Sequence, residues 1–428
     1  MPWEGALAPG QTRDPNGNLT IGSILARRLA ERYGTPLLVV NLGVVDAALD
    51  ALEGCTRPLD VGVSYAAKAF ATIEFVRYLA RRGIGLDVCS LGELVTAERA
   101  GFPPERVTLH GAGKSDDELV AVCRGRAGCV VVDGIEELAR LARLSRDAGP
   151  VDVLLRLNVG IEAHTHEFLR TGGDDTKFGI HQRDEPLAAD LLRASSGLRF
   201  VGLHAHVGSQ IYESSPYVAA AHELVSAARR FAGAGLPARR VVIGGGFGVQ
   251  TRPGERAESL DVGATLRAAT ERVTKDARRY GIPAPRLEIE PGRAVVGPAG
   301  TTLYRVLAVK RQTRRTFVVV DGGVAENPRP ALYGAYHHVV PAAAPSDDVA
   351  EVTLCGRSCE NDELGIVRLP CGVRDGDLLA MCTTGAYTYS MAGNYNRFPR
   401  PAVVAVADGS ERLLARRESI DDVLRNDA

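Results

Sequence analysis

Eight short apolar runs, each separated from the next by a longer stretch, occupy residues 60 to about 290. They are "VGVSY" (61–65), "GIGLDV" (83–88), "RVTLH" (106–110), "CVVVD" (129–133), "VDVLLRLNV" (151–159), "LRFVGLHAHV" (198–207), "RVVIGG" (240–245) and "RLEIEP" (286–291). Continuous apolarity, rather than strict alternation, is the pattern of strands buried on both faces. The intervening "TIEFVRYLARRG", "SLGELVTAERAG", "KSDDELVAVCRG" and "GIEELARLARLSRDAG" are amphipathic at helical period, with capping residues near their starts and Gly near their ends. Eight such units over about 230 residues predict a closed, all-parallel (β/α)8 TIM barrel, with an open doubly wound sheet as the alternative.

After residue 300 the texture changes to "RTFVVVDGG", "VAEVTLCG", "GDLLAMCTTG" and "RPAVVAVADGSERLLARR", short β-type runs split by Gly, Pro and Asp. A second, mainly β domain follows from this. We expect residues 1–34 to contribute to that β domain, 35–285 to form the barrel and 286–428 to form the β-sheet domain, with the eighth run at the junction. The strand-like "TPLLVVNL" (35–42) precedes the barrel count and fits either domain.

Lys plus Arg (51) and Asp plus Glu (52) nearly cancel, so no general field attracts nucleic acid or an anionic membrane. The N-terminus has no basic segment followed by an apolar core, and no apolar run is long enough to span a bilayer, so a cytoplasmic location is expected. The eight cysteines form no CxxC pair and are expected to be reduced, mostly as small buried hydrophobes.

In a barrel the chemistry sits where strands end and βα loops begin. The residues there are Lys68, Asp87, His110, Asp133, Arg156 with Asn158, His204 with His206, the glycines 244 to 246, and Glu290 with Arg293. Any one of these is most simply a cap; eight polar strand ends converging on one rim are not. Lys68, set among small apolar residues in "SYAAKAF", is expected to be desolvated, which would make its amine nucleophilic enough for a Schiff base; a snorkelling surface lysine is the alternative. "IGGGFGV" (243–249) follows a strand and is expected to open a helix that binds one phosphate, while failing the GxGxxG dinucleotide pattern. Glu290 in "IEPGR" either faces a pyridine nitrogen, keeping it protonated, or pairs with Arg293 or another arginine. His206 in "HAHVGSQ" has the place to stack on such a ring, and Ser209 to donate to its phosphate.

Taken together, "YAAKA", "DVCSLGEL", "HGAGKSDDEL", "HTHEFLRTGGDDTKFGI", "GLHAHVGSQI", "IGGGFGV", "EPGR", "RPALYGAYH", "CEND" and "GAYTYSMAGNYN" resemble the fold-type III pyridoxal 5'-phosphate (PLP) decarboxylases, the diaminopimelate decarboxylases most of all. The resemblance runs from about residue 20 to 410. It implies an alanine racemase-like barrel, a β domain that the N-terminal residues help to build, PLP as cofactor, an amino acid substrate, and a homodimer with shared active sites. By position it implies Lys68 as the cofactor-linked lysine, His206 stacked on the ring and Glu290 on the pyridine nitrogen. Asp87, Ser209, Gly245, Gly246, Gly292, Arg293 and Tyr387 complete the cofactor set. It further implies Cys359 as proton donor and Glu360 as the ligand of the substrate's distal amine, both reaching the neighbouring subunit's site. Arg293, Arg329 and Tyr333, with Tyr387, would hold the substrate. Without the resemblance, Cys359 reads as a buried hydrophobe and Arg329 as a surface residue.

Phe70, Arg357 and the lack of an aspartate shortly before Arg329 depart from the family pattern. They leave open a paralogue acting on a related amino acid in a secondary-metabolite pathway. The other readings are an amino acid racemase on the same barrel, a PLP carrier without catalysis, and a metal-dependent hydrolase using "HTH" (164–166) and "HAH" (204–206). We expect no metal.

Overall fold

The computed structural model describes residues 7–146, 148–161, 176–252, 260–346 and 348–428. The chain divides into two compact units, one of Asp50–Gly248 with Glu258–Gly292, the other of Met1–Leu49, Val249–Ala257 and Arg293–Ala428.

The first unit is the barrel. Its strands are β1 (Gly62–Ala66), β2 (Gly85–Val88), β3 (Val107–Leu109), β4 (Cys129–Val132), β5 (Val151–Arg156), β6 (Leu198–His204), β7 (Arg240–Val242) and β8 (Arg286–Ile289). Each pairs in parallel with the next, and β8 closes on β1 through Glu288 opposite Gly62 and Ile289 opposite Val63. The open-sheet alternative is thereby excluded. Every expected run contains a strand, and the polar residues named for the rim lie at or just past the strand ends. Side chains of β4 to β7 share one buried cluster of Cys129, Val131, Leu154, Val201 and Val242.

The helices begin where their caps predict. Thr72, Ser90 and Ser115 accept the N–H of Phe75, Glu93 and Glu118 before Ile73–Ala80, Leu91–Ala100 and Asp116–Cys123. Each satisfies a donor that the first helical turn leaves orphaned. The second helix ends on Gly101, whose left-handed backbone (φ 71°) closes its last turn.

The second unit is a mainly β domain. Its sheet runs Glu363–Pro370, Val349–Cys355, Thr316–Val320, Gly300–Arg311, Leu37–Asn41, Ala402–Ala407, Ser410–Ala415, with Leu378–Cys382 pairing both Gly300–Arg311 and Val339–Pro341. This moves both expected boundaries. Leu37–Asn41 lies inside the β sheet, antiparallel to Gly300–Leu303 and parallel to Ala402–Val406, so residues 35–49 belong with the β unit. Arg286–Ile289 is the last barrel strand, so the barrel ends at Gly292 rather than 285. Among the described residues, no helix is long and apolar enough to cross a membrane.

Candidate active site

Apart from Arg293, the polar residues expected at the barrel rim belong to the barrel unit. Lys68 sits in the single 3-10 turn Ala67–Ala69 that follows β1. Ala66, Ala67, Ala69 and Phe70 are buried around it, yet Lys68 itself is exposed. The expected desolvation of Lys68 by its own chain neighbours is therefore not what the fold gives. Phe70 meets Phe75 edge-on at 4.9 Å and its carbonyl accepts the Tyr65 hydroxyl at 2.9 Å. Its departure from the family pattern is thus a matter of packing under the turn. The Lys68 charge is felt by His206, Cys89 and Glu93.

Two carboxylates stand near one imidazole. His110 Nε2, just past β3, lies 3.4 Å from Glu290 Oε1 and 3.5 Å from Asp87 Oδ1. Glu290, just past β8, also accepts His204 Nε2–H at 3.1 Å. Burial alone would raise the Glu290 carboxyl, but His204 and His110 outweigh it and hold it well below the usual carboxylate range. Asp87 goes the other way: burial, then the Glu290 charge, push it up to about 6, although Ser64 Oγ donates to it at 2.6 Å. The bland pairing of Glu290 with an arginine gives way to this imidazole pair. His206 is driven down by burial and then by Lys68, so its ring is neutral. Arg156 pairs with Asp133 at 3.3 Å across β5 and β4.

The phosphate-type glycines lie in a loop laced to its neighbours. Ile211 N–H donates to the Gly246 carbonyl (3.0 Å), Gly248 N–H to Ile211 (2.9 Å), Glu290 N–H to Gly244 (2.9 Å), and Ala66 N–H to Pro291 (3.1 Å). The ends of β1, β6, β7 and β8 are therefore joined backbone to backbone. A Cβ at Gly245 would lie 2.0 Å from the Glu290 carbonyl oxygen, and one at Gly246 (φ +85°) 2.0 Å from that of Gly208. No helix opens here, against expectation: residues 243–252 are non-helical. The donors available to a phosphate are loop N–H groups of "IGGGFGV" with Ser209 from "HVGSQ".

Three buried polar atoms in this region, Asp87 Oδ2, His110 Nε2 and His204 Nδ1, have no hydrogen-bond partner. Buried polar atoms are satisfied in the great majority of sites, so these call for a ligand. The residues beside them fit a protonated pyridine ring carrying a phosphate: an ionised Glu290 for the ring nitrogen, a neutral His206 for its face, and a glycine cradle for the phosphate. The metal reading relied on the two His pairs. "HTH" lies outside the described residues, as does most of "HTHEFLRTGGDDTKFGI", and among the described residues the set with ligand spacing is His110, His204 and Glu290, within 4.8 Å of one another.

The β unit carries the remaining expected residues in two groups. Arg329 and Arg293 are buried, 4% and 9% exposed. The Arg293 guanidinium lies 4.7 Å from the Tyr387 ring centre and that of Arg329 5.6 Å from Tyr333. Burial, then repulsion from Arg293, holds Arg329 down to about 10, and Arg329 Nε is a buried donor without a hydrogen-bond partner. Two buried guanidiniums that repel each other form a receptor for an anion, and their planar forks suit a carboxylate. Tyr387 has left-handed backbone (φ 58°). The surface placement of Arg329 read from its chain neighbours alone is wrong. Three residues before Arg329, Glu326 accepts Tyr304 OH at 2.8 Å and Gly323 N–H at 2.6 Å and is pushed up to about 7, chiefly by burial.

Cys359 and Glu360 form the second group, on the loop between Val349–Cys355 and Glu363–Pro370. Both are exposed, so the composition-based view of Cys359 as a buried hydrophobe fails. Arg357 on the same loop lies over the Phe398 ring at 4.3 Å. The residues that sequence reasoning left out of its site are Ser64 and His110, which face Asp87, and Tyr395 and Asn396, which contact Glu360 and Cys359. His110 was legible as a strand end; Ser64, inside β1, was not.

Comparison with known proteins agrees with the geometry. Residues 45–297 match the family described as "Pyridoxal-dependent decarboxylase, pyridoxal binding domain". The chain is 42% identical to a diaminopimelate decarboxylase of Actinosynnema pretiosum subsp. auranticum, covering 99% of this chain and 96% of that one. It is 40% identical to that of Bacillus subtilis, covering 97% and 96%. The crystal structure of the diaminopimelate decarboxylase of M. jannaschii in complex with L-lysine superimposes with a TM-score of 0.89 at 27% identity, over 99% of this chain and 98% of that one. The chain belongs to the fold-type III pyridoxal-dependent decarboxylase family, and within it its similarity is to the diaminopimelate decarboxylases.

Proposed function

We propose that this protein is a PLP-dependent carboxy-lyase that converts meso-2,6-diaminopimelate to L-lysine and CO2. The observation that carries the reading is the ionised Glu290 at the barrel rim, flanked by His204 and His110 on the same rim as Lys68 and the glycine loop. Bound PLP supplies an electron sink for the charge left when CO2 departs. The residues around it have separable tasks. Lys68 holds the cofactor covalently and His206 lies against its ring. Glu290 and the facing imidazoles keep a proton on the ring nitrogen. Asp87, raised to about 6 by burial and by the Glu290 charge, holds its proton more tightly than a free carboxyl does. Gly245, Gly246, Gly292, Ser209 and Tyr387 take the phosphate.

For the substrate, Arg293, Arg329 and Tyr333 take the distal carboxylate, and Glu360 the distal ammonium. Cys359 returns a proton to the carbon that lost CO2. Exposure of Cys359 and Glu360 on one loop supports a homodimer in which this loop completes the partner's site. With PLP and meso-diaminopimelate, the pure protein is expected to sediment as a dimer and to release CO2 and L-lysine in equal amounts. CO2 from another amino acid but not from this one would transfer the enzyme to a paralogous reaction. Racemisation without CO2 would refute decarboxylation.

A further inference from the structure

The loop bearing Cys359 and Glu360 is held by a separate short segment of the same unit. Asn396 Oδ1 accepts the Cys359 N–H at 3.3 Å, and the Tyr395 hydroxyl donates to Glu360 Oε1 at 2.7 Å. Both groups come from the turn Tyr395–Arg397. That turn places two non-glycine residues in left-handed backbone, Asn396 (φ 50°) and Arg397 (φ 58°). L residues rarely adopt this conformation, and it persists where surrounding structure imposes it. Here the turn is pinned at its base. Asn394 Nδ2 donates to the Phe398 carbonyl (3.0 Å) and to Glu418 Oε2 (2.6 Å), and Glu418 also accepts Arg400 N–H at 2.8 Å.

Core packing does not explain Tyr395, which is 42% exposed. Its phenol is pushed up by the hydrogen bond to Glu360, as a donor to a carboxylate should be. An exposed hydrogen bond of this kind adds little to stability but fixes direction. With Oε1 occupied by the tyrosine, Oε2 is the oxygen presented to an incoming cation. The loop is also braced by Asp362, whose carboxylate accepts Val324 N–H at 2.6 Å and the Ser358 hydroxyl at 2.7 Å. Glu360 is thus the aimed group on a loop held by two separate sets of hydrogen bonds.

We propose that Tyr395 is a specificity-determining positioning residue: it orients Glu360 toward the distal ammonium of the substrate, while Asn396 fixes the backbone at Cys359. The proposal rests on the assignment of Glu360 to that ammonium, and the experiment separates the two. The holoenzyme and its Tyr395→Phe, Glu360→Gln and doubly substituted forms are compared by the KM and kcat of meso-diaminopimelate and by the inhibition constant of 2-aminopimelate, which lacks the distal amine.

Tyr395→Phe should raise the KM of diaminopimelate about tenfold, the worth of one hydrogen bond to a charged group, with a smaller fall in kcat. The preference for diaminopimelate over 2-aminopimelate should narrow by about the same factor, and on top of Glu360→Gln the change should shrink below about twofold. If Glu360→Gln leaves the preference intact, the Glu360 assignment falls and this proposal with it. If Glu360→Gln narrows the preference while Tyr395→Phe does not, or the two effects multiply in full, the Tyr395 proposal alone is overturned. An equal loss on both compounds, or a loss of kcat alone, would likewise overturn it as general loop disorder.

Discussion

Asp87 and Glu290 share an imidazole neighbour in His110 and a buried setting, yet their carboxyls are shifted in opposite directions. The difference is donor count: Glu290 has imidazoles on two sides, whereas Asp87 has the Ser64 hydroxyl and the repulsion of Glu290. Pairs pushed apart in this way mark distinct chemical tasks. The consequence is measurable without catalysis. Asp87 titrates at about 6 in the fold and near its ordinary value when unfolded, so the folded chain holds this proton more tightly. Its contribution to stability is complete below about pH 4 and is lost as pH rises through about 6, a loss on the order of 3 kcal/mol. Asp87→Asn, neutral throughout, escapes that loss. Thermal unfolding of the PLP-free protein should give the variant the higher Tm at pH 8, by a few degrees, with the gap narrowing at pH 5. A gap independent of pH would contradict the assignment. Sequence could place these carboxylates at strand ends but not their states, because His110, His204 and Glu290 come together only through the closed barrel. Lys68 shows the same limit in reverse: its apolar chain neighbours are buried, and Lys68 is not.

At the level of elements, the loops after β6, β7 and β8 act as one object. The hydrogen bonds among Gly244, Gly246, Ile211, Gly248 and Glu290 leave no room for side chains at Gly245 or Gly246. Gly246→Ala would force a methyl against the Gly208 carbonyl and onto left-handed backbone. We expect PLP affinity, read by fluorescence titration, to fall at least about tenfold; unchanged affinity would remove this loop from the cofactor site. The existence and order of the strands were legible, because burial on both faces writes a continuous apolar run. Their ends were less so: "VDVLLRLNV" stops as a strand at Arg156, where side chains turn to the rim. The glycine motif followed by a helix was a false expectation, since a backbone cradle does not need one.

Across the whole molecule, the misread segment is Leu37–Asn41. It is buried along its length and reads like a barrel strand, yet its partners are Gly300–Leu303 and Ala402–Val406. Apolarity records burial, not the identity of a partner more than 250 residues away. The β unit is consequently drawn from both flanks of the barrel sequence together with Val249–Ala257. The candidate residues divide in the same way: Lys68, Asp87, His206, Ser209 and Glu290 in the barrel unit, and Arg293, Arg329, Tyr333, Cys359, Glu360 and Tyr387 in the β unit. The claim on which the division of labour depends is that PLP is joined to the chain at Lys68. Borohydride reduction of the PLP-loaded protein, followed by peptide mass mapping, reads that link directly. The account predicts a single reduced pyridoxyl group, on Lys68, absent from Lys68→Ala; a label on another lysine, or none on a protein that still decarboxylates, would contradict it.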